Sequence, residues 1–308
     1  MPQTIFLTGT SGFIGQSILR QLLDRNHHVH ALIHRNPLPF SHPNLSPIAG
    51  DLFDSRFLLQ ALRGCDAIIH LIGIIRQQPS RGITFQRLHE QATATLVHAA
   101  QAAKIPRFIH MSALGTRPNA AGQYHQSKFN AEQTLRHSPL KWTIFRPSLI
   151  HGPQGEFMHQ VARWARKTAP PYLFMPYFGA GLLGRRGAGL LQPIYVEEVA
   201  RAFVDAIENE KSIDEIYPLA GPDRITWPQF YRLASQAIVG HPRLAAPIPA
   251  WFAKLLTHIV PAALLPFNHD QILMSQEDII ANTDKFISHF GWTPASFQST
   301  LQSYASQL

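Results

Sequence analysis

The sequence predicts an α/β fold, a doubly wound parallel sheet with a smaller C-terminal lobe. Short apolar runs alternate with segments of helical periodicity over about the first 150 residues, as expected for parallel strands joined by helices. A glycine-rich turn separates the first apolar run from the first helical segment. The alternation changes after Pro153, where a proline- and glycine-rich stretch begins. These three observations indicate one large sheet domain followed by a different, smaller lobe.

The glycine-rich turn occupies residues 8–15 and has the spacing GxxGxxG. Gly9 permits a sharp turn out of the strand. Gly12 leaves room for a pyrophosphate, and Gly15 lets the following helix pack closely. The helix N-terminus would offer free N–H groups to phosphate oxygens. The turn therefore predicts a Rossmann-type phosphate-binding loop, with a pure packing turn or a vestigial site as the alternatives.

The remaining strands and helices of the sheet domain follow in order. Periodicity predicts strands at 3–8, 29–33, 45–49, 67–71, 107–111, 142–146 and 216–220, and helices at 13–25, from Asp54, at 84–103 and around 124–135. Right-handed crossovers bring the carboxyl ends of parallel strands to one edge. We therefore expect the glycine turn, Arg35, Asp51, Gly73 and Ser112 to converge at that edge.

Arg35 stands where dinucleotide-binding folds that prefer NAD carry an acidic residue for the ribose 2′-hydroxyl. A guanidinium suits a 2′-phosphate instead. The sequence thus favours NADP(H) over NAD(H) as the cofactor. The alternative is a solvated loop arginine.

Tyr124 and Lys128 are four residues apart and share one face of a predicted helix. An ammonium beside a phenol favours the phenolate, so we expect a lowered pKa for Tyr124. Such a phenol could move a proton near neutral pH. The alternative is a surface pair at i,i+4 spacing.

Motifs in a fixed order identify a resemblance. They are the glycine turn, Gly50-Asp51-Leu52, Leu71-Ile72-Gly73-Ile74, Met111-Ser112, Tyr124-x-x-x-Lys128 and Arg146-Pro147-Ser148-x-x-x-Gly152-Pro153. Over residues 3–225 the chain resembles extended and atypical short-chain dehydrogenases/reductases, the NAD-dependent epimerase/dehydratase family. Within it, the chain is similar to the nucleotide-binding accessory subunit of respiratory complex I and its bacterial relatives.

The resemblance implies roles for matching positions. The cofactor-binding residues would be Gly9, Ser11, Gly12, Phe13, Ile14, Gly15, Asp51, Leu52, Leu71, Gly73, Lys128, Pro147 and Ser148. The catalytic residues would be Tyr124 as acid/base, Lys128 and Ser112 as its hydroxyl helper. Two hydroxyl residues usually follow the fifth strand, whereas this chain has Ser112-Ala113.

The second half carries fewer signals. Residues 179–184 match GxGxxG, but Arg185-Arg186-Gly187 follows instead of a helix, which indicates a hairpin or lid. Residues 247–267 are apolar and interrupted by prolines; they predict a core-covering helix, with an interfacial membrane helix as the alternative. Residues 285–305 predict a terminal helical cap. The predicted domains are 1–225, with an insertion at 154–191 that joins the substrate lobe, and a helical lobe at 226–308.

Composition limits the partners. The chain has 27 Lys and Arg, 19 Asp and Glu and a net charge of +8, but its basic residues are scattered and match no nucleic-acid motif. Seventeen histidines show no metal-ligand spacing, so we expect no metal site. One cysteine, Cys65, fits a reducing compartment. With no signal peptide or spanning segment in view, we expect a cytoplasmic protein or a peripheral one at the inner face of a membrane.

Two functional hypotheses follow. The first is an NAD(P)-dependent oxidoreductase or epimerase that acts on an unidentified small molecule. The second is a non-catalytic NADP(H)-binding accessory or assembly subunit of a respiratory complex. A nucleotide-sensing regulator is disfavoured, because such proteins often lose the tyrosine that this chain keeps.

Overall fold

The computed structural model describes residues 1–34, 38, 40–184, 188–260, 265 and 267–308. Its strands are β1 Thr4–Thr8, β2 His28–Ile33, β3 Leu45–Ala49, β4 Ala67–His70, β5 Arg107–Met111, β6 Lys141–Pro147, β7 Ile150–His151, β8 Met175–Gly179, β9 Ile194–Tyr195, β10 Glu215–Leu219 and β11 Ala245–Pro249. Its α-helices are α1 Phe13–Asp24, α2 Ser55–Ala61, α3 Ala92–Ala102, α4 Gln123–Arg136, α5 Glu156–Ala165, α6 Val196–Asp205, α7 Trp227–Val239, α8 Ala250–Ile259, α9 His269–Gln276, α10 Asp284–Phe290 and α11 Phe297–Gln302.

The chain divides into two compact units. The first comprises Met1–Pro147, Val196–Leu219 and Thr283–Trp292. The second comprises Ser148–Tyr195, Ala220–Asn282 and Thr293–Leu308.

A seven-stranded sheet organises the first unit, in the order β10-β6-β5-β4-β1-β2-β3. Every neighbouring pair is parallel. The strand order reverses between β1 and β4, which defines the switch point of a doubly wound sheet. All four residues of β4 are buried, as required of a strand covered on both faces. The predicted α/β, Rossmann-type fold is confirmed.

The segment Thr283–Trp292 belongs to the first unit, although the sequence placed it in the C-terminal lobe. Phe286 is buried, and its ring lies 6.2 Å from that of Tyr217 on β10. The Phe290 ring lies 5.8 Å from that of Phe145 on β6. Trp292 donates a hydrogen bond of 2.9 Å to Asp205. These aromatic contacts place α10 against β6 and the edge strand β10.

The second unit contains two short parallel pairs, β7 with β9 and β8 with β11. Its core joins Met158 and Val161 of α5 to Phe230 of α7 and Phe297 of α11. Gly179, the first residue of the predicted hairpin or lid, is the last residue of strand β8. Arg185 and Arg186, which follow this segment, lie outside the described residues.

Helix α8 differs from the predicted core-covering helix. Only its small residues Ala250 and Ala253 are buried, against Ile272 of α9. The large apolar residues of α8 that are exposed are Trp251, Phe252, Leu255 and Ile259. Leu264, predicted in the same helical stretch, lies outside the described residues.

Among the described residues, the helices are all too short or too polar to cross a bilayer.

We predict that Phe286→Ala lowers the free energy of unfolding by about 3 kcal/mol, because it leaves a cavity among buried rings. Urea denaturation of both proteins measures the difference. Ser288→Ala, on the exposed side of the same helix, is the control and should change stability by less than about 0.5 kcal/mol. Equal effects of the two substitutions would contradict the packing of α10 on the sheet.

Candidate dinucleotide-binding site

The carboxyl edge of the sheet gathers most of the predicted site. Residues 9–15 follow β1, residues 71–73 follow β4 and Ser112 follows β5. Because β4 lies between β1 and β5, these three segments are neighbours. Open α/β sheets bind ligands at this position.

The glycine turn is a close backbone packing. Gly9 has φ +75°, and a Cβ there would lie 3.1 Å from Leu71 Cβ. A Cβ on Gly15 would lie 2.1 Å from the Gly9 carbonyl oxygen, a distance that backbone cannot accommodate. A Cβ on Gly12 would lie 3.2 Å from the same carbonyl oxygen. Gly15 therefore lets α1 approach the turn itself, while Gly12 keeps the outer side of the turn open.

The N-terminus of α1 is accessible to an anion. Gly12 is the N-cap, and within the described residues no side chain caps this turn. Ser11 and Gly12 are exposed, and Phe13 and Ile14 are half-buried. First-turn N–H groups have no partner inside a helix, so they can donate to phosphate oxygens. The turn and helix therefore fit a pyrophosphate.

Side chains from α6 fix the position of α1. Ser17 donates a hydrogen bond of 2.8 Å to Glu197 Oε1, and Gln21 Nε2 donates one of 3.0 Å to Oε2. Arg20 forms an ion pair with the same carboxylate at 3.3 Å. These contacts join the second and third turns of α1 to the start of α6.

Two threonines on either side of Gly9 support the turn, and sequence reasoning missed both. The Thr8 hydroxyl lies 2.8 Å from His70 Nδ1 and accepts a hydrogen bond from Leu71 N. Thr10 donates to the Leu32 carbonyl at 3.0 Å. The sequence signal that could have identified them is a polar residue on each side of Gly9, directly where the buried strand β1 ends.

Beyond β3, Asp51 and Leu52 occupy different environments. Asp51 is exposed, and its carboxylate accepts a hydrogen bond of 3.0 Å from Phe53 N. Leu52 is buried in the core cluster with Leu32 and Leu58. Arg35 lies outside the described residues.

Lys128 is buried at the same edge. Its Nζ donates a hydrogen bond of 3.0 Å to the Met111 carbonyl at the end of β5. A Cβ on Gly73 would lie 2.9 Å from this Nζ, so the amine lies directly against the Gly73 backbone. Burial lowers the pKa of Lys128 to about 8, although the nearby Glu132 carboxylate opposes the shift.

Tyr124 lies one turn before Lys128 and is 8% exposed. Its ring contacts that of His89 edge-on, with 5.5 Å between centroids. Burial raises the pKa of Tyr124 to about 12. The expected lowering is therefore wrong, because desolvation of the phenolate outweighs any attraction by the neighbouring amine.

An ion pair connects α4 to β6. Arg146 Nε donates to Glu132 Oε1 at 2.8 Å, and Nη2 donates to Oε2 at 2.5 Å. Glu132 is fully buried. A bidentate pair of this kind fixes orientation as well as distance. It holds the helix that carries Tyr124 and Lys128.

His89 is a site residue without a clear sequence signal. Its Nδ1 lies 2.8 Å from Ser127 Oγ, and its Nε2 accepts a hydrogen bond of 3.1 Å from Ile74 N. It lies in a π-helical segment, Gln86–Gln91, which interrupts the helix predicted at 84–103. Such segments occur frequently at functional sites. His89 thereby connects α4 to the loop that contains Gly73.

The last predicted residues fall in both units. Ser112 is buried, and its hydroxyl donates to Thr116 Oγ1 at 3.3 Å. Pro147 ends β6, and its carbonyl accepts a hydrogen bond of 2.9 Å from Leu114 N. Ser148 belongs to the second unit and donates to the Ile279 carbonyl at 3.0 Å.

Residues 9–162 match the NAD(P)H-binding family. This chain belongs to that family. This match confirms the expectation from the glycine turn that the chain binds a nicotinamide dinucleotide.

Curated relatives extend the comparison. A mitochondrial protein of Arabidopsis thaliana, NADH dehydrogenase [ubiquinone] 1 alpha subcomplex subunit 9, is 26% identical over 92% of this chain. Ceramide reductase of Caulobacter vibrioides is 30% identical over 48% of it. This chain spans 70% of the length of the first protein and 47% of the second.

Solved structures share the fold of this NAD(P)H-binding protein. WbmH of Bordetella bronchiseptica, solved in complex with NAD+, superimposes with a TM-score of 0.75 at 17% identity. The match covers 100% of this chain and 98% of that one.

Three histidines of this chain, His70, His89 and His110, are buried near Lys128. His70 and His110 stack at 5.4 Å between centroids. Within the described part of the chain, both ring nitrogens of His110 and Nε2 of His70 are buried without a hydrogen-bond partner. Burial and the Lys128 charge lower the pKa of His70 to about 3 and that of His89 to about 2. All three rings are therefore neutral at neutral pH, since burial also lowers the pKa of His110.

We predict that acid destabilises the wild type more than His110→Leu. A histidine whose native pKa is lowered binds more protons when unfolded, so stability falls as pH drops below about 6.5. A ring that stays neutral in the native state costs about 2 kcal/mol by pH 5. Urea denaturation measures the free energy of unfolding at pH 7 and at pH 5. Between these pH values the variant should lose about 2 kcal/mol less than the wild type. His98→Leu, which removes an exposed ring from α3, should retain the wild-type loss. If His110→Leu retained it too, the neutral burial of His110 would be refuted.

Proposed function

We propose that this chain is an NAD(P)(H)-dependent oxidoreductase whose proton-transfer group is Tyr124. The carrying observation is the placement of Lys128: its buried amine lies against Gly73 and Met111, at the strand ends that border the glycine turn. An oxidoreductase of this class needs a dinucleotide and an acid/base at one place, and α4 supplies Tyr124 one turn from that amine.

Residues at the carboxyl edge would hold the dinucleotide. The exposed turn at Ser11 and Gly12 and the first N–H groups of α1 suit the pyrophosphate. Lys128 would bind the nicotinamide ribose, and Asp51 and Leu52 would border the adenine. Leu71, Gly73, Pro147 and Ser148 complete the proposed set. When bound, the dinucleotide supplies or accepts a hydride.

Tyr124 would donate its proton to a substrate oxygen. With a pKa of about 12, the phenol is protonated at neutral pH, which is the state that proton donation to a carbonyl oxygen requires. Ser112 would donate a second hydrogen bond to the same oxygen. The substrate class is a small carbonyl compound.

Arg35 supports a preference for NADP(H). It follows β2, which ends at Ile33, and residues 33–37 contain no Asp or Glu. A guanidinium can pair with a 2′-phosphate in bidentate fashion.

A second function is favoured by the Arabidopsis relative, which aligns with almost the whole chain. In that case the chain is an accessory or assembly subunit of a respiratory complex, peripheral at the inner face of a membrane. Deep burial of Tyr124 and Lys128 also suits a site that holds a dinucleotide without turnover.

We predict that Tyr124→Phe reduces kcat/KM at least about 100-fold, because the proton donor is lost. The dinucleotide Kd should change less than about twofold, since the ring remains in place. Consumption of NADPH with a panel of carbonyl compounds and nucleotide sugars measures the first quantity, and fluorescence titration measures the second. Tyr172→Phe, at a half-exposed ring, is the control. Equal inactivity of wild type and Tyr124→Phe, with cofactor binding and co-purification of a membrane complex, would favour the accessory function.

We predict that Arg35→Ala weakens NADP(H) binding about tenfold and leaves NAD(H) binding unchanged, because only the former has a 2′-phosphate. Parallel titrations with both dinucleotides measure the ratio. Arg63→Ala removes the same charge from an exposed position elsewhere and should leave the ratio unchanged. Full occupancy by NAD(H) in the purified wild type, with negligible NADP(H) affinity, would contradict the preference.

A further inference from the structure

The exposed face of α8 is apolar, the reverse of an ordinary surface helix. Trp251, Leu255 and Ile259 are spaced by four residues, and Phe252 lies beside them, so the four side chains share an arc of about 100°. They are between 42% and 69% exposed. Surface helices normally turn their polar side outward. An exposed contiguous apolar face of this kind marks an interaction site.

A loop from a separate part of the chain extends this face. Leu182 and Leu183 are 78% and 63% exposed. Trp251 Nε1 donates a hydrogen bond of 3.2 Å to the Leu182 carbonyl. A Cβ on Gly184 would lie 3.0 Å from Pro249 N, so the loop packs directly against the start of α8. We call these six residues, Leu182, Leu183, Trp251, Phe252, Leu255 and Ile259, the apolar face.

The surrounding sequence is basic. Residues 157–196 and 224–269, which contain the apolar face, include no Asp or Glu. Their basic residues are Arg163, Arg166, Lys167, Arg185, Arg186, Arg224, Arg232, Arg243 and Lys254. Lys254 is half-buried on α8, at the border of the apolar arc, where a long stem can follow apolar surface while its ammonium reaches water.

We propose that the apolar face inserts into the interfacial region of an anionic lipid bilayer. Trp, Phe and Leu beside a basic flank are the composition of interfacial helices. The basic segments that flank the apolar face in the sequence match the negative potential of anionic lipid headgroups, and the nearby acidic residue is Asp270, in the first turn of α9. Helix α8 has 10 residues and is about 15 Å long, half the hydrocarbon thickness, so it lies on the surface rather than crossing.

The same features disfavour a second copy of this chain as the occupant. Specific protein interfaces use about 20 residues on each side, many more than the apolar face offers. Two copies would also bring like charges together. A bilayer needs no matched partner surface.

Vesicle co-sedimentation of the full chain tests the proposal. Wild type should bind phosphatidylcholine–phosphatidylglycerol vesicles at least about tenfold more tightly than Trp251→Ser/Leu255→Ser, because apolar burial is lost. Leu173→Ser/Leu244→Ser is the matched control. It removes two exposed leucines from the same unit, at the opposite ends of β8 and β11, and should bind like wild type. Thermal unfolding checks that each variant is folded.

Two further measurements separate insertion from adsorption and from protein contact. The Leu255→Cys variant is labelled with an environment-sensitive fluorophore at its exposed thiol. The label is directed to this position because the native Cys65 is buried. Its emission should shift to shorter wavelength with these vesicles, and that of labelled Leu244→Cys should not. Lys254→Glu keeps the apolar face and should weaken binding only to anionic vesicles. Equal sedimentation of wild type and Trp251→Ser/Leu255→Ser would overturn the proposal. Self-association or capture by a protein subunit that depends on the apolar face, without a fluorophore shift on vesicles, would overturn it as well.

Discussion

Lys128 buries its amine at the carboxyl edge of the sheet, where Nζ donates to the Met111 carbonyl. Burial of an ammonium is costly unless it is compensated. Glu132, one turn further along α4, opposes the lowering of the Lys128 pKa, but it is itself paired with Arg146. The amine therefore sits where charge and neutrality are close in free energy, with its pKa at about 8.

The Lys128 charge adds to the effect that burial has on the neighbouring histidines. Its charge contributes to the lowered pKa values of His70 and His89, which burial has already made poor bases. Those rings serve as neutral supports: one meets the Thr8 hydroxyl after β1, and the other connects Ser127 to the Gly73 loop. The strand ends are thus held by neutral side chains around one cation.

Local sequence signals predicted the parts that depend on local structure. The glycine turn, the helix that begins next to Asp54 and the buried strand β4 follow from spacing and polarity within a few residues. The pKa of Tyr124 did not, because it depends on how fully Phe85, His89 and His125 enclose the ring. His89 was hidden by a π-helical segment that shifts the helical period. The placement of α10 was hidden as well, because its rings meet β6 and β10, which lie far away in sequence.

Helix α8 shows a different limit of periodicity. An apolar stripe predicts that a face will be covered, but it carries no information about what covers it. In α8 the small residues Ala250 and Ala253 meet α9, while the large ones remain outside. The charge of the flanking sequence supplied the missing information, since residues 224–269 contain basic residues and no Asp or Glu. Apolar spacing and charge sign together, rather than either alone, distinguish a helix that packs inward from one directed toward an anionic surface.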